Sequence, residues 1–150
     1  MPTVWELLER KEKKIYSIHP SAPLSEAIRA LAQHKIGALI VIENKDDRSQ
    51  LVGIISERDI VRRAEQGFGQ LESLRVSDLM TKDIIVGVLK DDISYAMSMM
   101  TQNKIRHLPI MEGEKVVGVV TIGDIVKALL SEESYENRML RDYIDSKYPG

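Results

Sequence analysis

The chain contains no cysteine. Disulfides, thiolate nucleophiles and thiolate metal sites are excluded together. Neither charge sign dominates: 21 Lys and Arg face 23 Asp and Glu, a formal net charge of -2. General affinity for nucleic acid or for an anionic membrane is therefore not expected. No apolar run approaches the roughly 20 residues that span a bilayer. The start, Met1-Pro2-Thr3-Val4-Trp5-Glu6, lacks the basic and apolar regions of a secretory signal, so a cytoplasmic location is expected. The three histidines, His19, His34 and His107, show no metal-ligand spacing. No nucleophile elbow, P-loop or G-x-G-x-x-G fingerprint occurs; Gly67-Phe68-Gly69 begins the last pattern but follows a helix rather than a strand. No catalytic residue and no metal site is expected.

What the chain has is an internal repeat, in 150 residues of ordinary composition, 43% hydrophobic and 29% charged. Leu24, Ala27, Ile28 and Leu31 fall on Ile93, Ala96, Met97 and Met100 at an offset of 69, as do Lys35, Ile36 and Leu39 on Lys104, Ile105 and Leu108. The offset then becomes 65: Val52-Gly53 matches Val117-Gly118, and Asp59-Ile60-Val61 matches Asp124-Ile125-Val126. The change of four is expected to be a longer polar turn in the first copy, Glu43–Gln50 against Glu112–Lys115.

Each copy opens with a short β-like run, Ile15–Ile18 or Ile84–Leu89, followed by apolar residues at helical spacing. Asp92 suits the N-cap of the second of these helices, whereas Pro23 has no capping side chain in the first. Ala38–Ile42 with Leu51–Ile55, and His107–Met111 with Val116–Val120, read as hairpins. A second helix follows in each copy, the first ended by Gly67 and Gly69. Met97, Met99 and Met100 are expected in the core and at an interface. The predicted fold class is α/β (α+β): two tandem β-α-β-β-α units related by a pseudo-two-fold axis. The expected boundaries are an N-terminal helix over 1–11, repeats over 12–68 and 83–130 joined by 69–82, and a C-terminal helix over 131–150. A lone unit would expose apolar faces, and pairing two units buries them.

Three places could carry chemistry. Ser56-Glu57-Arg58-Asp59 and Thr121-Ile122-Gly123-Asp124 both place a hydroxyl three residues before an Asp where a strand gives way to a helix. This is a capping box. The same geometry offers free N–H groups to an anion and a carboxylate to the two hydroxyls of a ribose; cap and ligand contact are compatible. Arg106 and His107 stand where the first copy has Gly37 and Ala38. They suit a phosphate or a solvated loop, and the small pair would let a flat base approach the backbone. Ser17, where the second copy has Val86, suits either a base or ribose contact or an open strand surface.

These runs, taken in order, resemble the CBS-domain pair, a regulatory module named after cystathionine β-synthase and found also in inosine-monophosphate dehydrogenases. The resemblance covers about residues 12–130 and rests on Lys35–Val41, Val52–Val61, Val76-Ser77-Asp78-Leu79-Met80-Thr81, Ile105–Ile110 and Val117–Val126. It implies a short bacterial type in which the pair is nearly the whole protein. It implies a non-catalytic sensor of an adenosyl ligand, AMP first, with ADP, ATP, NAD(H) or S-adenosylmethionine as others, and no catalytic cofactor. It also implies a disc-shaped homodimer of pairs. Carried over by residue, Asp59 and Asp124 would hold ribose hydroxyls, and Ser56 and Thr121 ribose or phosphate. Arg106, His107 and Arg58 would take phosphate. The backbone at Ile36, Gly37 and Ala38, with Ile15, Ile54 and Val119, would frame the base, and Gly123 lies in the second helix-opening run. One cleft is expected to join Ser17 and Ala38 to Thr121 and Asp124, and to be the fuller one, with charge from Arg106 and His107. The other would join Ser56 and Asp59 to the first strand of the second copy. A target protein in trans, met by the C-terminal helix, is a further expectation. The contrasting expectation is a structural or protein-interaction module whose cleft is vestigial.

Overall fold

The structure is a computed structural model and describes residues 2–11, 14–131 and Tyr143. The expected C-terminal helix lies outside the described residues beyond Ser131, apart from Tyr143. The elements, in order, are α1 (Val4–Arg10), β1 (Ser17–Ile18), α2 (Leu24–His34), β2 (Ala38–Lys45), β3 (Arg48–Ser56) and α3 (Glu57–Glu65). A 3-10 turn at Leu71–Ser73 leads to α4 (Val76–Leu79), β4 (Gly87–Val88), α5 (Ile93–Gln102), β5 (His107–Glu112) and β6 (Lys115–Thr121). Residues 122–131, here α6, are helical.

There are two three-stranded sheets among the described residues, ordered β1-β2-β3 and β4-β5-β6. In each the first strand runs parallel to the second and the second antiparallel to the third. The opening strands are shorter than expected, two residues each. The bulges also correspond, at Val41/Ile42 and Ile110/Met111.

The offset change has a different cause from the one the sequence suggested. The turn does not lengthen. Asp46 and Asp47, both at positive φ, close the first hairpin in two residues, as Gly113 and Glu114 close the second. Strands β2 and β3 have 8 and 9 residues against 6 and 7 in β5 and β6. The insertion is therefore two residues per arm. Paired additions preserve the side-chain alternation, and a two-residue turn with φ > 0 matches the twist of the strands.

Leu24, Ala27 and Leu31 of α2 are buried with Leu39, Val41 and Ile55; Ile93, Ala96 and Met100 of α5 are buried with Leu108, Ile110 and Val120. Met97 and Met99 pack against the second of these cores. Full burial of one such side chain is worth about 1.5–3 kcal/mol. Asp92 is the N-cap of α5 but caps with no side-chain bond. The backbone supplies what a cap would: Ile93 N–H donates to the Pro2 carbonyl, and Leu24 N–H donates to the Leu74 carbonyl in the first copy. Both helices end alike, with Lys35 and Lys104 at φ 54° and 55° and bonds from Ile36 to Leu31 and Ile105 to Met100. These six-to-one bonds satisfy terminal carbonyls.

The helices preceding the two opening strands are exchanged. α1 packs Val4 and Leu7 into the core of the second repeat, and α4 packs Val76 into that of the first. The contacts correspond: Thr3 bridges Asp92 and Arg75 bridges Pro23. Two glycines permit the approach. A β-carbon on Gly118 would lie 2.8 Å from Leu8 Cδ2, and one on Gly53 would lie 2.7 Å from Met80 Sδ.

Candidate functional site

The capping reading holds in both repeats. Asp59 N–H donates to Ser56 Oγ at 3.3 Å, and Asp59 Oδ2 accepts from Ser56 N–H at 2.9 Å and from the Ser56 hydroxyl at 3.1 Å. Asp124 N–H donates to Thr121 Oγ1 at 3.0 Å, and Asp124 Oδ2 accepts from Thr121 N–H at 2.9 Å. The strand turns into the helix at the same relative place. Glu57 N–H donates to the Gly37 carbonyl, and Ile122 N–H to the Arg106 carbonyl.

The carboxylates differ in their further partners. Asp59 Oδ1 accepts from Thr81 Oγ1 at 3.2 Å. Asp124 Oδ2 accepts from Lys11 Nζ at 2.6 Å, and the same ammonium donates to the Val119 carbonyl at 2.8 Å. Neither Lys11 nor Thr81 figures among the residues expected to form a site. The signal for Thr81 is the run Val76–Thr81 between the copies, one of those that carry the family resemblance. The signal for Lys11 is fainter: Val4-Trp5-Glu6-Leu7-Leu8 echoes Val76-Ser77-Asp78-Leu79-Met80.

An open cavity of about 240 Å³ joins the two repeats. The first supplies Gly37, Ile54, Ser56, Arg58 and Asp59; the second supplies Ile84, Ile85, Arg106, His107 and Pro109. The expected combination of Ser56 and Asp59 with the opening run of the second copy is thus present. Arg106 and His107 line this cavity, and His107 also pairs with Thr121 across β5 and β6 and feels the charge of Asp124, beside which it was expected. Their place in the cavity comes from the interlock of the repeats. His107 opens β5 against the Gly37 backbone, where a β-carbon would lie 2.9 Å from its Cε1. The smallness of Gly37 thus accommodates an imidazole of the chain itself.

The lining is cationic on balance. Arg58, Arg62, Lys104 and Arg106 face Glu57, Asp59 and Asp83. Arg58 reaches across to the second repeat and donates to the Lys104 carbonyl at 3.3 Å. Burial holds the His107 pKa below its ordinary 6.5; Glu57 pulls it upward, Lys11 downward, Asp124 upward and Arg106 downward. Desolvation disfavours the cation, so the ring is neutral near pH 7. The cavity therefore presents guanidinium forks, a neutral imidazole and a helix N-terminus, a set suited to an anion with hydroxyls nearby.

The other expected residues are placed as follows. Ser17 is exposed at the start of β1, paired with Ile40. Ile36 packs against the first core, and Ala38 opens β2 opposite Ser56. Thr121 ends β6 opposite His107, and Gly123 is exposed in the first turn of α6. Among the described residues no group of three His, Cys, Asp or Glu could hold a metal, and no helix is long and apolar enough to cross a membrane.

Comparison with known proteins agrees with this architecture. The family model for the CBS domain matches twice, over residues 8–65 and 76–131. The "CBS domain-containing protein CBSX3, mitochondrial" of Arabidopsis thaliana is 34% identical over 125 residues, 82% of this chain; the match spans 60% of that relative's length. A CBS-domain containing protein from Agrobacterium tumefaciens has a crystal structure that superposes with a TM-score of 0.78 at 32% identity, covering 84% of this chain and 92% of that one. The crystal structure of CBSX2 in complex with AMP shares the fold at 24% identity, with a TM-score of 0.71 over 87% of this chain and 98% of that one.

Proposed function

The chain belongs to the CBS-domain family, and from that membership we propose that it is a non-catalytic regulatory module that senses an adenine nucleotide between its two repeats. The observation that carries the reading is the cavity lined by Ser56, Arg58 and Asp59 of one repeat and Arg106 and His107 of the other. AMP is the first ligand to test, supported by the AMP complex of CBSX2, which shares the fold. Asp59 would accept from the ribose hydroxyls. Arg58, Arg106 and His107 would meet the phosphate. Ile54, Ile84 and Ile85 would supply the apolar wall for the base. The cavity, about 240 Å³, is below the ~300–1,000 Å³ of enclosed small-molecule pockets, so part of the nucleotide would stay in solvent.

A ligand bridging the repeats shifts their relative arrangement only by its differential affinity for the alternatives. Ser17, Ala38, Thr121 and Asp124 would frame the second cleft. The homodimer of pairs belongs to the same proposal. Ile28, Val61, Tyr95, Val126 and Leu130 are exposed on helices, which leaves apolar helix surface for a second copy. A target protein in trans and a cytoplasmic location complete it.

Calorimetric titration with AMP, ATP, NADH and S-adenosylmethionine tests the reading. AMP is expected to bind, with the affinity reduced about tenfold or more by Asp59→Asn, since a hydrogen bond to a charged group is worth about 1.5–3 kcal/mol. If none of the four binds while the protein still captures a partner, the cleft is vestigial and the module is an interaction domain.

A further inference from the structure

We propose that Lys11 is a resident cation in the second cleft, and that its ammonium must leave Asp124 before a ribose can bind there. The inference rests on the nucleotide reading above and adds a regulation to it.

In the first repeat, Ile54 exchanges both backbone hydrogen bonds with Thr81, at 3.0 and 2.8 Å, and the Thr81 hydroxyl donates to Asp59 at 3.2 Å. Val119 occupies the place of Ile54, and Asp124 that of Asp59. There a single ammonium takes both roles, 2.8 Å from the Val119 carbonyl and 2.6 Å from Asp124 Oδ2. One Asp thus keeps a neutral partner, and the other carries a cation.

Lys11 is not a wandering surface lysine. Its side chain is 32% exposed and that of Asp124 is 23% exposed. It is the C-cap residue of α1, which is seated by Val4 and Leu7 in the second core and by Leu8 against Gly118. A diol that bridges both oxygens of a carboxylate needs Oδ2. On Asp124 that oxygen already accepts from Thr121 N–H and from Lys11. On Asp59 the corresponding oxygen accepts from Ser56 N–H and from the Ser56 hydroxyl. The Ser56 hydroxyl is a neutral rotor that can turn away, whereas Lys11 holds Asp124 Oδ2 with a full opposite charge as well as a hydrogen bond. The first cleft should fill first. Filling the second should release Lys11 from Asp124, coupling occupancy to the segment that leads from α1 into β1.

The test titrates AMP by calorimetry into the wild-type chain, Lys11→Met and Asp124→Asn. Methionine keeps the apolar stem and removes the ammonium. The wild type should show one strong event, weakened about tenfold or more in Asp59→Asn, and a weaker one, lost in Asp124→Asn. Lys11→Met should tighten the weaker event about tenfold, the lower end of what loss of a charged hydrogen bond permits. A double variant, Lys11→Met with Asp124→Asn, should lose that gain. Two equal events in the wild type, or a weaker event that Lys11→Met leaves unchanged, would overturn the inference and leave the nucleotide reading standing. No binding in either the wild type or Lys11→Met would overturn both. Binding only in Lys11→Met would support the resident cation and overturn the open first cleft.

Discussion

The imidazole of His107 rests against Gly37 across the boundary between the repeats: a β-carbon on Gly37 would stand 2.9 Å from Cε1 and 3.0 Å from Nε2. The two residues are near-counterparts in the duplicated sequence, yet one makes room for the other. Gly37→Ala is expected to push the ring aside at a cost of about 1–3 kcal/mol, the usual range for overpacking. In urea denaturation the double variant Gly37→Ala with His107→Ala should lose less than the two single changes added together.

His107 also sets a pH dependence. Its pKa lies below 6.5 in the folded chain because burial opposes the charge. Folding therefore excludes a proton that the unfolded chain accepts. The contribution to stability is fully present above pH 6.5 and is lost as pH falls from there through the folded value. An anion beside the ring reverses the preference. AMP binding should take up protons and strengthen between about pH 7.5 and about pH 6. Calorimetry in buffers of different ionisation enthalpy measures the uptake, and His107→Gln should reduce it.

Ser56 caps α3 through its side chain. Ser56→Ala should cost about 1 kcal/mol in stability. Thr121→Ala should cost a similar amount, since Asp124 N–H donates to the Thr121 hydroxyl as Asp59 N–H does to that of Ser56. Denaturant midpoints measure both, and a cost in only one repeat would contradict the equivalence of the caps.

Leu7 belongs to a helix that precedes the first repeat, yet it is buried in the core of the second. Leu7→Ala should cost about 2–4 kcal/mol, in the range for truncating a buried leucine. It should also speed proteolytic cleavage after α1. If stability is unchanged, α1 is not part of the second core in solution.

The sequence by itself determined the duplication, the hairpins, the amphipathic helices and the hydroxyl–Asp runs that cap α3 and α6. Each is written in residues close together: apolar spacing, turn residues, and a capping pair three positions apart. It was misleading where several local solutions share one pattern. A four-residue insertion reads as a longer turn, but adding a pair to each strand also preserves the alternation. Asp92 reads as a side-chain cap, but the backbone of residues 2–4 reached that helix end first. The tertiary structure alone decided which helix covers which sheet, and with it which side chains meet the two aspartates. The exchange of α1 and α4 depends on Leu8 fitting over Gly118 and Met80 over Gly53. Such shape complementarity between distant segments has no local period. That exchange brings Lys11 to Asp124 and Thr81 to Asp59, so two aspartates in equivalent runs of the sequence have electrostatically unlike partners.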